Sequence, residues 1–427
     1  MIGRGGETVS IAQDELRELV VESLLAIGDV KKVLVLPPDH TRLNSMAGPI
    51  TAMVYEMLTA RGVHVDILPT LGTHNPMTEA QLRMMFGENI PLDVFRVHDW
   101  RKGVVRKGEV SGDFLAELSG GKVDYTVGVE VNKMLFDGYD LILSVGQVVP
   151  HEVVGMANYT KNIVVGAGGA DIINKSHFLG AVSNMETILG RTDTPVRQLF
   201  NHAVDTFLND LPITYILTVM EQDYSTAEMH MRGFYSSADA ECYTAACELA
   251  RKVNITQLDR EPSKVVVYLD PHEFQSTWLG NKAVYRTRMA IADGGELIVL
   301  APALKEFGED PTIDHLIRKF GYHGTPSTLK AVEENEELRS NLSAAAHLIH
   351  GSSEGRFRIT YCPGEGGLSL DEIRSVGFDA VSYDEMVERY NPKALKDGFN
   401  TLPDGEEIYY ISNPALGLWV FKDKLKK

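Results

Sequence analysis

Apolar and polar positions alternate along this chain in two distinct rhythms. Short β-branched and aliphatic runs are bounded by Gly, Pro and Asp, and between them lie longer stretches with helical spacing. Eight runs read as strands, at 33–36, 65–68, 141–145, 163–165, 265–269, 297–300, 357–361 and 408–411. Start signals mark the helices between them. Thr78 with Gln81, Ser369 with Glu372 and Ser382 with Glu385 have capping-box spacing. Thr194-Pro195 and Thr325-Pro326 set proline at a first helical position, where its missing N–H costs nothing. Strands alternating with helices predict an α/β fold with mainly parallel sheets.

A chain of 427 residues is long for one core, so two α/β domains are expected. The polar stretch 254–264 suggests the boundary, giving domains 1–257 and 258–427 with an active-site cleft between them. The hydrophobic share of 44% and charged share of 23% are those of an ordinary globular protein. No apolar run is long enough to span a membrane, and the first residues lack a signal-peptide core. Cys242, Cys247 and Cys362 form no CxxC pair, which fits a reducing cytoplasm and disfavours a thiolate zinc site. A net charge of −18 argues against nucleic acid and anionic membranes as partners. An anionic substrate would then need a few local cations acting against the overall field.

Three segments repeat one arrangement of apolar strand, small or Pro-rich turn, then histidine. They are VLVLPPDH ending at His40, VDILPTLGTH ending at His74 and LILSVGQVVPH ending at His151. In open α/β sheets ligands bind beyond the carboxyl ends of the strands, so three such tips would converge on one crevice. A single loop histidine is more often a turn cap; three in parallel settings are not. Lys161 follows His151 by ten residues and opens the buried-looking strand 163–165, and His177 follows Lys161 by sixteen. Between them Gly166, Gly168 and Gly169 could offer bare amides as a phosphate nest, although a plain turn explains the run equally well. His98, in an HDW string, either supports the site or ends a strand.

The strings PDHTR, LGTHNPMTEAQL and the spaced PH…K…H closely resemble the lactate racemase family. That resemblance implies a nickel-pincer nucleotide, a pyridinium mononucleotide whose sulfur groups hold the metal. It implies Lys161 as the covalent attachment point and His177 as the nickel ligand, with the Gly166, Gly168 and Gly169 run beside Lys161 then expected to meet the cofactor's phosphate. His74 and His151 would be the acid/base pair, Arg42 the substrate carboxylate's holder, and Asp39 the residue aligning either Arg42 or a neighbouring histidine. The activity implied is racemisation or epimerisation at C2 of a 2-hydroxy acid, with hydride transfer to the cofactor. The expected partners are that acid, the enzymes that make and load the cofactor, and further copies of the chain.

The chain departs from the family pattern on the substrate side. Asn75 stands where the family commonly has arginine, and Met156–Thr160 replaces a Ser-Gly-Gly-rich segment. The family's compact Gln-x-x-Lys is stretched to Gln275 and Lys282. These changes point to a substrate larger than lactate, aromatic or sugar-derived, with Asn75, Asn158, Tyr159 and Gln275 available to additional hydroxyls. The competing reading is a zinc hydrolase or lyase without the pincer, holding its metal with His74, His151 and His177. A nicotinamide dehydrogenase is disfavoured, since no G-x-G-x-x-G follows the first strand. A non-catalytic binding protein on the same fold would take up no cofactor.

Overall fold

The computed structural model describes residues 1–223, 226, 228–415 and 417–425. The chain divides into two compact units, one of residues 1–179 with 189–254 and one of residues 180–188 with 255–427.

The first unit is built on a six-stranded sheet. Its strands are β1 (Ile2–Gly5), β2 (Lys32–Leu36), β3 (His64–Ile67), β4 (Leu141–Gln147), β5 (Ile213–Gln222) and β6 (Met229–Ser237). In space they run β1-β6-β5-β4-β2-β3. The four from β3 to β5 are parallel, and β6 and β1 close one side antiparallel. Every residue of β4 is buried, as expected of a parallel strand covered on both faces. Val33, Leu34, Val35 and Leu36 of β2 are fully inaccessible, and burying each such side chain is worth about 1.5–3 kcal/mol. Helix α1 (Gln13–Ile27) packs on α2 (Ala47–Thr59), and both contribute to the core cluster on one face of this sheet.

The second unit also holds a six-stranded sheet. Its strands are β7 (Lys264–Tyr268), β8 (Glu296–Ala301), β9 (Arg358–Pro363), β10 (Asp379–Ala380), β11 (Gly398–Thr401) and β12 (Glu407–Ile411). The order is β10-β9-β8-β7-β12-β11, parallel except for β11 on β12. The fold is thus the expected α/β class with mainly parallel sheets.

Seven of the eight expected strands form. The eighth, 163–165, does not; it lies within a π-helical turn, Asn162–Gly166. Ile163, Val164 and Val165 are buried there as fully as a strand would bury them, and a short apolar run does not by itself distinguish the two. The capping boxes at Thr78/Gln81 and Ser369/Glu372 form completely, and Ser382 caps its helix through the Glu385 amide. Pro195 takes the first helical position of α5 (Pro195–Phe207). At the other site Thr325 itself is the first helical residue, so Pro326 stands second. All three cysteines are free and buried. Among the described residues no helix is long and apolar enough to cross a membrane.

Candidate active site

Strands β3 and β4 lie on opposite sides of β2, so the winding direction changes between β2 and β4. Beyond the carboxyl ends at such a point, diverging loops leave a crevice. The β2 tip carries Asp39 and Arg42, the β4 tip His151, and the β3 tip His74.

Asp39 is 4% exposed. Its Oδ1 accepts from the Thr41 amide (3.0 Å) and hydroxyl (2.5 Å), and its Oδ2 lies 2.5 Å from His74 Nδ1. Burial alone would raise its carboxyl pKa; the hydrogen bond and charge of His74, with Thr41 and Arg42, outweigh that and hold it at about 2. When the ring is neutral the Asp39 carboxylate accepts a hydrogen bond from Nδ1–H, which leaves Nε2 with its lone pair. His74 is half-exposed.

The segment bearing Lys161 is tied down by its neighbour. Asn162 Nδ2 donates to Leu36 O at 3.1 Å and Ser144 Oγ at 2.9 Å, and its Oδ1 accepts from Thr70 Oγ1 at 2.7 Å. One buried amide thus joins the end of β2, the middle of β4 and the loop after β3. The Gly72 amide adds a bond to Gly166 O at 2.9 Å. Before Lys161 the backbone passes through two left-handed residues, Asn158 (φ 66°) and Tyr159 (φ 59°), each unfavourable without glycine. Arg197 from α5 holds this bend. It donates to Met156 O (2.8 Å), Asn158 O (3.0 Å) and Thr160 Oγ1 (2.7 Å). It is 2% exposed, and its guanidinium lies 4.5 Å above the Tyr243 ring.

Burial, reinforced by the charges of Arg42 and Arg197, lowers the Lys161 ammonium to about 8 against the pull of Glu152 and Asp39. Burial also depresses both other histidines, His151 strongly, with Lys161 nearby adding to the effect on each. His177 sits on α4 (Ala170–Val182), where its Nδ1 donates to the carbonyl of Ile173 one turn back at 2.6 Å. That leaves Nε2 as a neutral ligand nitrogen, the arrangement a metal-binding histidine needs. His151 is held the other way: its Nδ1 accepts from the Val153 amide at 3.1 Å. Glu152 Oε2 lies 3.7 Å from the same nitrogen, beyond hydrogen-bonding distance.

Several expected residues make contacts of their own within the fold. The amides of Ala167, Gly168 and Gly169 donate to Asn162 O, Val165 O and Glu130 O. Gly168 and Gly169 therefore do not form the open phosphate nest expected of the run. They are small because a Cβ on Gly168 would run into the Val164 carbonyl, and one on Gly169 would lie 2.7 Å from the Glu130 side chain. Gly166 is pressed likewise, 2.8 Å from Thr70. His98 supports this joint from below, bonded to Gly168 O and to the Asn132 amide, both at 3.0 Å. His40 meets Gln81 at 3.0 Å, at the start of helix α3 (Glu79–Phe86). Asn158 bonds to the Tyr159 amide, and Tyr159 stacks on Tyr243; both are occupied in the fold, while Asn75 stays exposed. In the second unit, Gln275 donates to Pro271 O, and Lys282 lies 3.8 Å from Glu273 and 5.4 Å from the Phe274 ring. Among the described residues no three or more His, Cys, Asp or Glu side chains gather as a metal site, so the three-histidine zinc centre is not assembled.

Asn162, Glu152 and Arg197 were not anticipated from sequence. The first two adjoin chosen residues and could have been weighed with them. Arg197 had one signal, an arginine beside the apolar stripe of Val196, Phe200 and Ala203.

At the winding reversal the first unit thus carries a depressed lysine, an aspartate-held histidine and a histidine whose inner nitrogen is bonded to its own helix. Residues 10–189 match the family model of the lactate racemase N-terminal domain. Lactate racemase of Thermoanaerobacterium thermosaccharolyticum is 23% identical over 280 residues, which is 64% of this chain. The match spans 60% of that relative's own length. Among solved structures, a Thermotoga maritima protein superposes with a TM-score of 0.82 at 22% identity, covering 97% of this chain and 99% of its own. The lactate racemase apoprotein from Thermoanaerobacterium thermosaccharolyticum does so at 0.70 and 15%, covering 95% and 92%. At such identities the superpositions speak to the fold. By the family model over residues 10–189 and the curated relative, this chain is similar to the lactate racemase family.

Proposed function

We propose that this protein is an isomerase that inverts C2 of a 2-hydroxy acid, using a nickel-pincer nucleotide attached through Lys161. The observation that carries the reading is the set of Asp39, Arg42, His74 and His151 on adjoining strand tips of one unit, with Lys161 and His177 on the turn and helix that follow and electrostatically coupled to His151. The residues present suit the cofactor. His177 offers a neutral Nε2 to nickel, for which imidazole is a fitting ligand, and Lys161, with its ammonium lowered to about 8, supplies an amine for the covalent link. When bound, the cofactor would accept and return the C2 hydrogen with its electron pair.

The chain's own residues do the rest. Arg42 holds the substrate carboxylate, since a guanidinium matches it in charge and shape. With Lys161 and Arg197 it concentrates positive charge in a protein of net charge −18. His74 and His151 move the hydroxyl proton, one for each face of the planar keto acid. Asn75, exposed beside His74, favours a substrate with polar groups beyond those of lactate. Gln275 and Lys282 are proposed as further substrate contacts.

The decisive experiment co-produces the protein with cofactor-making enzymes in nickel medium. An intact-mass increase mapped to Lys161, one nickel per chain and loss of optical rotation in a 2-hydroxy acid are expected. An unmodified Lys161 together with no stereoisomer interconversion would overturn the proposal.

A further inference from the structure

The two histidines assigned to proton transfer are held by opposite hydrogen bonds. An imidazole that is neutral carries one proton, and the bond made by one nitrogen decides what the other presents. At His74 the inner nitrogen faces the Asp39 carboxylate at 2.5 Å. A carboxylate accepts only, so Nδ1 carries the proton and Nε2 is bare. At His151 the inner nitrogen faces a backbone N–H, that of Val153, at 3.1 Å. An amide donates only, so Nδ1 is bare and the proton sits on Nε2. Glu152 could compete by favouring a proton on Nδ1, but at 3.7 Å it makes no hydrogen bond there. The burial that depresses His151 also keeps the ring neutral.

We infer that the pair is unequal at rest: His74 presents a lone pair to the site and His151 presents an N–H. This deepens the racemase reading and rests on it for its chemical meaning. The stereoisomer whose hydroxyl faces His74 loses its O–H proton directly to Nε2. When bound, the cofactor would take the C2 hydrogen with its electron pair as the C=O bond forms. The mirror isomer, facing His151, first meets a hydrogen-bond donor. Its oxidation must await transfer of the Nε2 proton and opening of the Val153 bond. His74 is therefore the entry base, and His151 begins as the group that grips and polarises the substrate oxygen.

The test needs neither cofactor nor substrate. Apoprotein labelled with ¹⁵N at histidine is examined by NMR at pH 8, with His74→Gln and His151→Gln providing assignments. The expected result is a protonated Nδ1 at His74 and a protonated Nε2 at His151. Val153→Pro, which deletes the amide donor, should let His151 populate both tautomers. A His151 protonated on Nδ1, or the same tautomer on both rings, overturns the inference. If exchange broadens the exposed His74 signal, neutron diffraction from deuterated crystals reads the same protons and decides the same way. Failure of the racemase reading would appear separately, as co-produced protein with no Lys161 adduct and no interconversion.

Discussion

Asp39 keeps its carboxylate 2.5 Å from Nδ1 of His74 while almost wholly buried itself, so a fixed negative charge sits behind a half-exposed imidazole. Asp39→Asn keeps the size and removes the charge. Under the proposed function, interconversion should fall by roughly 10²–10⁴-fold, the range for general acid–base catalysis, while the adduct mass on Lys161 stays unchanged. Kinetics and intact mass on the same sample check both halves.

The same carboxylate predicts an acid limb of stability. Its folded pKa of about 2 lies below the ordinary 3.8, so the native state binds the proton less readily than the unfolded chain. The resulting stabilisation is full above about pH 4 and is lost as pH falls toward 2. Urea unfolding of wild type and Asp39→Asn across that window should show the gap between them closing. A constant gap would assign the effect to something other than Asp39 ionisation.

Lys161 has the opposite linkage. With a folded pKa of about 8 against 10.5, it disfavours folding at neutral pH, and stability should rise between pH 8 and 10.5 as the native amine stays neutral. Lys161→Ala should abolish the cofactor adduct and flatten that rise. Peptide mapping after reaction with an amine-directed acylating reagent should place the half-reactivity of wild-type Lys161 near pH 8.

Arg197 is the brace behind Lys161. Arg197→Met leaves the carbonyl of Asn158 without its donor, at about 1–3 kcal/mol for a buried group unpaired, while the Thr160 hydroxyl still donates to Asn201 Oδ1 at 2.8 Å. The Met156 carbonyl keeps the Tyr243 hydroxyl at 3.1 Å. Thermal unfolding should fall accordingly, with Arg197→Lys intermediate because an ammonium cannot serve all three acceptors in one plane.

Gly168→Ala tests the packing role of the glycine run. Its Cβ would collide with the Val164 carbonyl, and overpacking of this kind costs about 1–3 kcal/mol. A lower melting temperature in the apoprotein is expected. An unchanged one would reopen the amides there to a ligand.

The sequence pattern carried seven of the strands, the helix caps and the histidines at the strand tips, because each depends on neighbours within a few residues; it missed the parallel strand Ile213–Gln222. It did not carry the turn at 162–166, where burial of Ile163, Val164 and Val165 is satisfied without a strand partner. The antiparallel strands Met229–Ser237 and Ile2–Gly5 also escaped, their pairing joining positions more than 200 residues apart. The Gly168 and Gly169 amides looked free because their acceptors include Glu130, remote in sequence. Asn158 and Tyr159 looked available for substrate because nothing local shows Arg197 on the Asn158 carbonyl or Tyr243 stacked on Tyr159.

Asn162 gives the three loop tips a shared anchor. A shift of the β2 end, the β4 strand or the loop after β3 strains a bond on that one amide, so the loops are geometrically correlated rather than independently adjustable. Such a site resembles a jig more than a flexible hand. New substrates are more readily accommodated by exchanging outward side chains, as at Asn75, than by bending the frame that holds Lys161.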